Sequence, residues 1–214
     1  MNTQKSMLTK FWTERFLFTP AELDAFTSVN REDFVLEVTR GSAYDDMPLP
    51  ILRGKTISQP TTVMLMTHAL ELEEGDKVFE VGAGSGYQSA IIAKIVGPNG
   101  KVVTTEVIPE LVQFAKANLK KAGISNAQVH EADGSRGWEK DAPYDKIVIT
   151  AACREFPKPL IGQLKPGGII VGPVGDAREQ EMVKGVKRKD GTLAYEFLGQ
   201  FLFSPMVGKW GFED

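Results

Sequence analysis

The run Val78-Phe79-Glu80-Val81-Gly82-Ala83-Gly84-Ser85-Gly86-Tyr87 decides the fold class of this 214-residue chain. A short β-rich segment ends in three glycines at alternate positions, and a helical pattern follows. Glycines in such a turn let the backbone approach a ligand closely at the carboxyl end of a buried strand. A dinucleotide site needs its third glycine three positions after the second, where a helix N-terminus receives a pyrophosphate. Tyr87 occupies that position here, so the spacing argues against a dinucleotide.

Acidic residues at or near the ends of three predicted strands indicate which ligand this site takes. Glu80 would sit badly beside a pyrophosphate but suits the ammonium group and sulfonium centre of S-adenosylmethionine. Glu106 can accept hydrogen bonds from ribose hydroxyls, or it can instead cap the helix that begins at Pro109. Asp133 can accept the adenine amino group beside Gly134, or it can be an ordinary turn residue. The predicted cofactor-binding residues are Glu80, Gly82, Gly84, Gly86, Glu106, Val107, Asp133 and Gly134.

From Pro60 onward, helical and β-rich patterns alternate. We expect strands at residues 77–81, 101–106, 127–132, 146–150 and 169–174, with helices between them. Units of this length predict a parallel sheet covered on both faces. The tail differs, because residues 182–189 and 192–203 flank Asp190-Gly191 as the two arms of a β-hairpin. A parallel α/β sheet that ends in an antiparallel hairpin favours a methyltransferase over a dehydrogenase.

The first 57 residues form a predicted N-terminal cap of helices and loop. Thr19-Pro20-Ala21-Glu22 is a capping-box pattern with proline at the first helical position, so a helix begins there. A second helix is expected after Asn30, with Phe34, Val35 and Val38 on its apolar side. Residues 44–59 contain two prolines before Gly54 and are expected to be an extended loop. We expect one domain, with residues 1–57 as the cap and 58–214 as the cofactor-binding core.

Composition limits the class of protein and its partners. The formal net charge of −3 carries no basic footprint for nucleic acid, and no apolar run is long enough to span a bilayer. Cys153 is the only cysteine, which excludes an internal disulfide, and two separated histidines form no metal-ligand cluster. The sequence therefore predicts a cytoplasmic protein without nucleic acid, membrane or metal as a partner.

The chain resembles the protein-L-isoaspartate O-methyltransferase family from about Thr19 to its C-terminus. The specific segment is Thr56-Ile57-Ser58-Gln59-Pro60, which precedes the glycine loop. Further matching segments are the glycine loop itself, Glu106 with residues 108–111, Asp133-Gly134, and residues 142–145, 150–152 and 164–168. Two positions depart from the family pattern: Thr61 replaces a histidine or tyrosine, and residues 153–156 replace an alanine-proline type sequence. These departures bear on peptide preference.

The resemblance implies a Rossmann-like class I methyltransferase with a seven-stranded, mostly parallel sheet. It implies that Ser58 is the active-site residue, and that Ile57, Ser58, Gln59 and Val207 contact the substrate. The implied reaction methylates the α-carboxylate of L-isoaspartyl residues in damaged proteins and peptides. S-adenosylmethionine is the implied methyl donor and S-adenosyl-L-homocysteine the product. A monomer is expected.

An isoaspartyl α-carboxylate is already ionised at neutral pH, so its methylation requires no general base. Ser58 can donate one hydrogen bond to such a carboxylate, although a serine before Pro60 is also a common helix cap. The histidines, His68 and His130, and the thiol of Cys153 are interpreted as packing or surface groups. Three alternatives stay open: a class I methyltransferase for a small-molecule acid or RNA, an NAD-dependent oxidoreductase, and a noncatalytic binding protein.

Overall fold

A seven-stranded sheet forms the centre of the molecule in the computed structural model, which describes residues 3–16 and 18–212. Its strand order is β5-β4-β3-β6-β7-β8-β9, in which β3 to β7 run parallel and β8 and β9 are antiparallel. The strands are β3 (Lys77–Val81), β4 (Lys101–Glu106), β5 (Ala127–Glu131), β6 (Tyr144–Ile149), β7 (Leu164–Gly175), β8 (Gln180–Lys187) and β9 (Leu193–Phe201). The predicted α/β fold with a C-terminal hairpin is confirmed.

Successive residues of the central strands point to opposite faces of the sheet, and each face has its own hydrophobic cluster. Val78 and Val102 belong to one cluster, whereas the adjoining Phe79 and Val103 belong to the other. This period of two on strands buried on both sides explains their continuous apolar sequence. The covering helices are α3 (Pro60–Ala69), α4 (Tyr87–Val96), α5 (Pro109–Lys121) and α6 (Lys158–Gln163).

The N-terminal helices α1 (Thr3–Arg15) and α2 (Pro20–Ser28) join the core on one face of the sheet. Trp12 and Phe26 are fully buried and belong to the same cluster as Val78. The predicted capping box at the start of α2 is confirmed in both directions. Glu22 donates its N–H to the Thr19 hydroxyl at 3.2 Å and accepts the Thr19 N–H at 2.7 Å.

The helix expected after Asn30 is wrong. Two 3-10 segments, Arg31–Asp33 and Glu37–Ser42, stand in its place, and Val38 is 89% exposed. The reason is that side chains form hydrogen bonds with backbone groups that a regular helix would pair with each other. The Tyr44 hydroxyl accepts the Arg31 N–H at 3.2 Å, and the Arg31 guanidinium donates to the Ala43 carbonyl, so the backbone curls around a buried side chain.

The predicted loop at residues 44–59 carries a short ladder. The strands β1 (Leu49–Pro50) and β2 (Thr56–Ile57) pair antiparallel. Between them, Arg53 and Gly54 adopt positive φ angles of 58° and 69°, which turn the chain back. This hairpin holds Ser58 at the end of a paired strand. No helix within residues 3–16 and 18–212 is long and apolar enough to cross a membrane.

Candidate active site

A cleft of about 700 Å³ lies beside the carboxyl ends of β3, β4 and β6. It brings the Ser58 segment and the glycine loop together, although 23 residues lie between Ser58 and Gly82 in the chain. The hairpin end of the sheet supplies a further wall. The lining residues are Pro48, Lys55, Thr56, Ser58, Gln59, Thr62, Gly82, Gly84, Glu106, Leu111, Thr150, Gln200, Phe201, Leu202, Phe203 and Ser204.

The glycine loop has the left-handed backbone that its sequence predicts. Gly82, Gly84 and Gly86 have φ angles of 93°, 53° and 85°. A Cβ on Gly82 would lie 2.6 Å from the Thr150 hydroxyl oxygen, which donates to the carbonyls of Gly82 at 2.7 Å and Val81 at 2.9 Å. Thr150 therefore fixes the loop and also lines the cleft. The sequence marked Thr150 only as part of a family segment.

The carboxylate of Glu106 is held by three backbone N–H groups. Oε2 accepts from Gly84 at 3.0 Å, and Oε1 accepts from Val107 at 2.9 Å and Ile108 at 3.1 Å. Glu106 thus satisfies N–H groups before the helix at Pro109 and also lines the cleft, and its bond to ribose hydroxyls stays a prediction. A carboxylate can accept about four hydrogen bonds, so one position remains for a ligand hydroxyl. Val107 is 38% exposed next to it.

Glu80 lies behind the glycine loop and does not line the main cleft. Its side chain is fully buried, accepts a hydrogen bond from the Ser89 hydroxyl, and borders a separate cavity of about 60 Å³. Burial raises the pKa of Glu80 to about 7, and the hydroxyls of Ser89 and Thr104 only partly oppose this effect. Ser58 and Gly82 border both cavities, so the cavity next to Glu80 adjoins the cleft.

The side chain of Asp133 accepts a hydrogen bond from the C-terminal segment. Oδ2 accepts the N–H of Lys209 at 2.9 Å, and Oδ1 accepts the N–H and hydroxyl of Ser135 at 3.0 and 2.6 Å. Burial alone raises its pKa, but these bonds, together with Arg136, hold the pKa of Asp133 below its ordinary value. A Cβ on Gly134 would lie 2.4 Å from the Thr105 hydroxyl oxygen, so this glycine allows close packing. Sequence reasoning missed the contact with residue 209, which lies 76 positions away.

Ser58 is not the cap of helix α3. The N-cap position is Gln59, which makes no side-chain cap bond, and Asp46 accepts the Thr61 N–H at 2.9 Å instead. The cap interpretation of the Ser58 side chain is therefore wrong. The Ser58 carbonyl accepts a hydrogen bond of 2.8 Å from Nη2 of Arg31, a contact that sequence reasoning also missed. Of the other predicted substrate residues, Gln59 lines the cleft, Ile57 is buried, and Val207 is 54% exposed outside it.

Comparison with known proteins decides the family. The model of the family described as protein-L-isoaspartate(D-aspartate) O-methyltransferase matches residues 2–211. The chain belongs to this family. A protein-L-isoaspartate O-methyltransferase of Methanopyrus kandleri is 46% identical over 89% of this chain and 85% of its own length. Protein-L-isoaspartate O-methyltransferase 2 of Archaeoglobus fulgidus is 48% identical over 89% of this chain and 87% of its own length.

Solved structures agree with this membership. A protein-L-isoaspartate O-methyltransferase with 27% identity superimposes with a TM-score of 0.88 over 99% of this chain and 67% of that one. A Plasmodium falciparum protein described as a family member, solved with S-adenosyl-L-homocysteine, gives a TM-score of 0.83. Its identity is 23%, with coverage of 97% and 99%, and it shows the shared fold. The family predicted from the sequence is confirmed.

The side chains at the two departures from the family pattern are not among those that line the cleft. Thr61 is buried, and its hydroxyl bonds to Nε1 of Trp12 at 2.8 Å and to Asp46 at 2.6 Å. Cys153 is buried too, and burial raises the pKa of its thiol to about 12. Thr61 and Cys153 therefore contribute to packing between elements, whereas Arg154 and Glu155 are exposed.

The remaining titratable candidates also lie outside the cleft. His68 pairs with Glu22 at 3.1 Å, and His130 stacks on Trp138 with ring centroids 4.2 Å apart. Within residues 3–16 and 18–212, no group of three histidine, cysteine or acidic side chains is arranged to hold a metal ion.

Proposed function

We propose that this chain transfers a methyl group from S-adenosylmethionine to the α-carboxylate of L-isoaspartyl residues in damaged proteins and peptides. S-adenosyl-L-homocysteine is the expected second product. The observation that carries the proposal is that one cleft holds both the Ser58 segment and the glycine loop with Glu106. Membership of the protein-L-isoaspartate O-methyltransferase family supports the choice of acceptor.

The cofactor fits the residues that are present. Gly82 and Gly84 leave backbone exposed in the cleft, where a Cβ at Gly82 would strike Thr150. Glu106 keeps acceptor capacity towards the ribose hydroxyls. When bound, S-adenosylmethionine supplies an electrophilic methyl group on a sulfonium. We assign the cofactor contacts to the predicted set, of which Gly82, Gly84 and Glu106 line the cleft and Glu80 borders the adjoining cavity. Asp133 already accepts four hydrogen bonds, from Ser135, Arg136 and Lys209, so its contact with the adenine amino group requires the release of one of them.

Ser58 orients the acceptor. Its hydroxyl can donate one hydrogen bond to a carboxylate oxygen and leave the other oxygen free as nucleophile. The acceptor is ionised at neutral pH, so no residue has to remove a proton. The chain's contribution is to hold the reacting atoms in line. Such alignment can lower the activation free energy by up to about 7–11 kcal/mol. We assign peptide contacts to Ile57, Gln59 and Val207 as well.

We also propose the organisation and setting that the sequence predicts. The chain acts as one domain, with residues 1–57 capping a core of residues 58–214, since Trp12 and Val78 share one hydrophobic cluster. A net charge of −3 supports the proposal that nucleic acid is not a partner. We further propose that the protein is a cytoplasmic monomer.

The decisive experiment compares two peptides that differ only in one isoaspartyl or aspartyl residue, with labelled S-adenosylmethionine as donor. We expect base-labile methyl ester on the isoaspartyl peptide alone. Tight cofactor binding with neither peptide methylated would refute the acceptor and leave another carboxylate or a small molecule as the alternative.

Ser58→Ala tests the role of the hydroxyl. We expect kcat/KM for the isoaspartyl peptide to fall by about tenfold or more, since one hydrogen bond to a charged group contributes about 1.5–3 kcal/mol. The Michaelis constant for S-adenosylmethionine should stay within about twofold, because the lost bond goes to the acceptor. Ser125→Ala, at an exposed position away from the cleft, is the matched control. An equal loss of cofactor affinity would contradict the assignment.

A further inference from the structure

Arg31 is a fully buried cation next to the candidate active site. Its side chain is 0% exposed, and its two terminal nitrogens donate to backbone carbonyls, Nη1 to Ala43 and Nη2 to Ser58 at 2.8 Å. The carboxylates of Asp45 and Asp46 act on it through longer-range attraction. Burying a charge is costly unless it gains strong partners, and carbonyl oxygens are weaker partners than a bidentate carboxylate. Such a placement needs a reason beyond packing.

Three parts of the fold meet at this guanidinium. Ala43 and Tyr44 belong to the cap, and the Tyr44 hydroxyl accepts the Arg31 N–H while donating to Glu32. Ser58 belongs to the acceptor segment, which we define as residues 56–59. Tyr87 is the first residue of α4, directly after the glycine loop, and its ring lies 5.8 Å below the guanidinium carbon. Arg31 thus bonds to the cap and to the acceptor segment, and its guanidinium lies over the ring of Tyr87 at the start of α4.

We infer that Arg31 is a positioning residue for methyl transfer. Its bond to the Ser58 carbonyl fixes the peptide plane between Ser58 and Gln59, and therefore the direction in which the Ser58 side chain enters the cleft. The planar guanidinium holds the Ala43 and Ser58 carbonyls through two nitrogens at a fixed spacing, whereas a lysine presents all its donors from a single nitrogen. This inference rests on the proposed function, because alignment of the acceptor matters only if the acceptor segment binds the nucleophile. A misplacement of about 1 Å can cost about 100-fold in rate.

A second buried cation in the cap provides a matched control. Lys5 is 2% exposed and donates to the carbonyls of Thr27 at 2.6 Å and Val29 at 3.2 Å. Lys5 thus donates to carbonyls at the end of α2, as Arg31 donates to the carbonyls of residues 43 and 58. None of these bonds of the Lys5 ammonium goes to the acceptor segment. The ammonium also lies 5.5 Å from the centroid of the Tyr44 ring, so loss of Lys5 removes a buried cation from the surroundings of Arg31 while leaving the Arg31 bond to Ser58 in place.

The experiment compares Arg31→Gln, Arg31→Lys and Lys5→Met with the unmodified chain. For each we would measure the unfolding midpoint, the dissociation constant for S-adenosyl-L-homocysteine, and kcat for the isoaspartyl peptide. We expect kcat to fall about 10- to 100-fold in Arg31→Gln. Arg31→Lys should be intermediate, because an ammonium can keep one of the two carbonyl bonds. Cofactor affinity should stay within about threefold in both, and Lys5→Met should lower the midpoint while retaining kcat.

Several outcomes would overturn the inference. One is a kcat in folded Arg31→Gln within twofold of the unmodified chain. Another is an equal kcat loss in Lys5→Met, since the effect would then be general destabilisation. If Arg31→Gln does not fold, Arg31→Lys decides: a kcat at least threefold lower with unchanged cofactor affinity supports the inference, and an unaltered kcat refutes it. If the unmodified chain fails to methylate the isoaspartyl peptide, the proposed function fails instead.

Discussion

The substitution Glu106→Gln tests whether the carboxylate at the end of β4 binds the cofactor. The change keeps the size of the side chain but replaces one acceptor oxygen with an NH₂ donor. If the remaining oxygen keeps the Val107 and Ile108 N–H groups, the NH₂ faces the Gly84 N–H across the present distance of 3.0 Å. The opposite rotamer places the NH₂ against two N–H groups. The first rotamer costs the glycine loop its bond, and the second costs Val107 and Ile108 theirs.

The magnitude follows from these contacts. A hydrogen bond to a charged group contributes about 1.5–3 kcal/mol, and an unsatisfied buried N–H costs about 1–3 kcal/mol. We therefore expect the dissociation constant for S-adenosyl-L-homocysteine to rise about 10- to 100-fold. The unfolding midpoint should fall by about 2–10 °C for a chain of this size. Titration calorimetry and thermal unfolding without ligand measure the two effects separately.

Glu131→Gln is the control for this experiment. Glu131 pairs with Glu106 across β4 and β5, but it is exposed. Glu131→Gln should leave the dissociation constant and the unfolding midpoint unchanged, because removing this carboxylate breaks no buried hydrogen bond. A Glu106→Gln protein that binds S-adenosyl-L-homocysteine within twofold of the unmodified affinity would refute the ribose assignment. A lower midpoint with normal affinity would reduce Glu106 to a structural cap of the residues before α5.

Two further predictions concern the glycine loop and the buried acid behind it. The folded-state pKa of Glu80 is about 7 against an ordinary 4.5, so the folded state binds more protons between these values. The free energy of unfolding should therefore fall as pH rises through that window, and Glu80→Gln should flatten the decline seen by thermal unfolding. A decline of equal slope in the variant would assign the effect to other groups. Gly82→Ala should destabilise the fold by about 1–2 kcal/mol from its φ of 93° alone. Thr150→Ala removes the atom 2.6 Å from the new Cβ and also the hydroxyl bonds to Val81 and Gly82, so Thr150→Ala alone is the reference. Against that reference, Gly82→Ala should lose only the backbone part in chemical denaturation, and no loss would show that the backbone is not strained.

The core of the fold was predictable because its signals are local. The strands β3 and β4 have the predicted bounds, since buried apolar runs between a turn and a glycine loop leave little choice of register. The capping box at Thr19 and the hairpin at Asp190-Gly191 are short patterns in which neighbouring residues satisfy one another. These elements would form in the same way in many tertiary settings.

The cap and part of the site were not predictable because their bonds join residues far apart in the chain. Arg31 bonds to Ser58 across 27 residues, and Asp46 bonds to Thr61 across 15. The hydrophobic periodicity of residues 30–43 is typical of a helix. That pattern contains no information on side chains distant in the chain that donate hydrogen bonds to the backbone carbonyls. The same holds for the C-terminal segment on Asp133, where the interacting group is a backbone N–H, which every non-proline residue carries.

The charges in the cleft fit a reaction that consumes an anion and a cation. Transfer of a methyl group from a sulfonium to a carboxylate yields an ester and a thioether, both neutral. Water stabilises the charged reactants more than the neutral products, so a site with apolar walls favours the transfer.

The aromatic side chains of Phe201 and Phe203 line the cleft on the side of the hairpin. Glu106, the one acidic residue among the lining side chains of the described chain, already accepts three N–H bonds, which limits its repulsion of an incoming carboxylate. The cleft therefore needs accurate placement of the acceptor more than it needs a base, and this is the requirement that Ser58 and the buried Arg31 behind it are placed to meet.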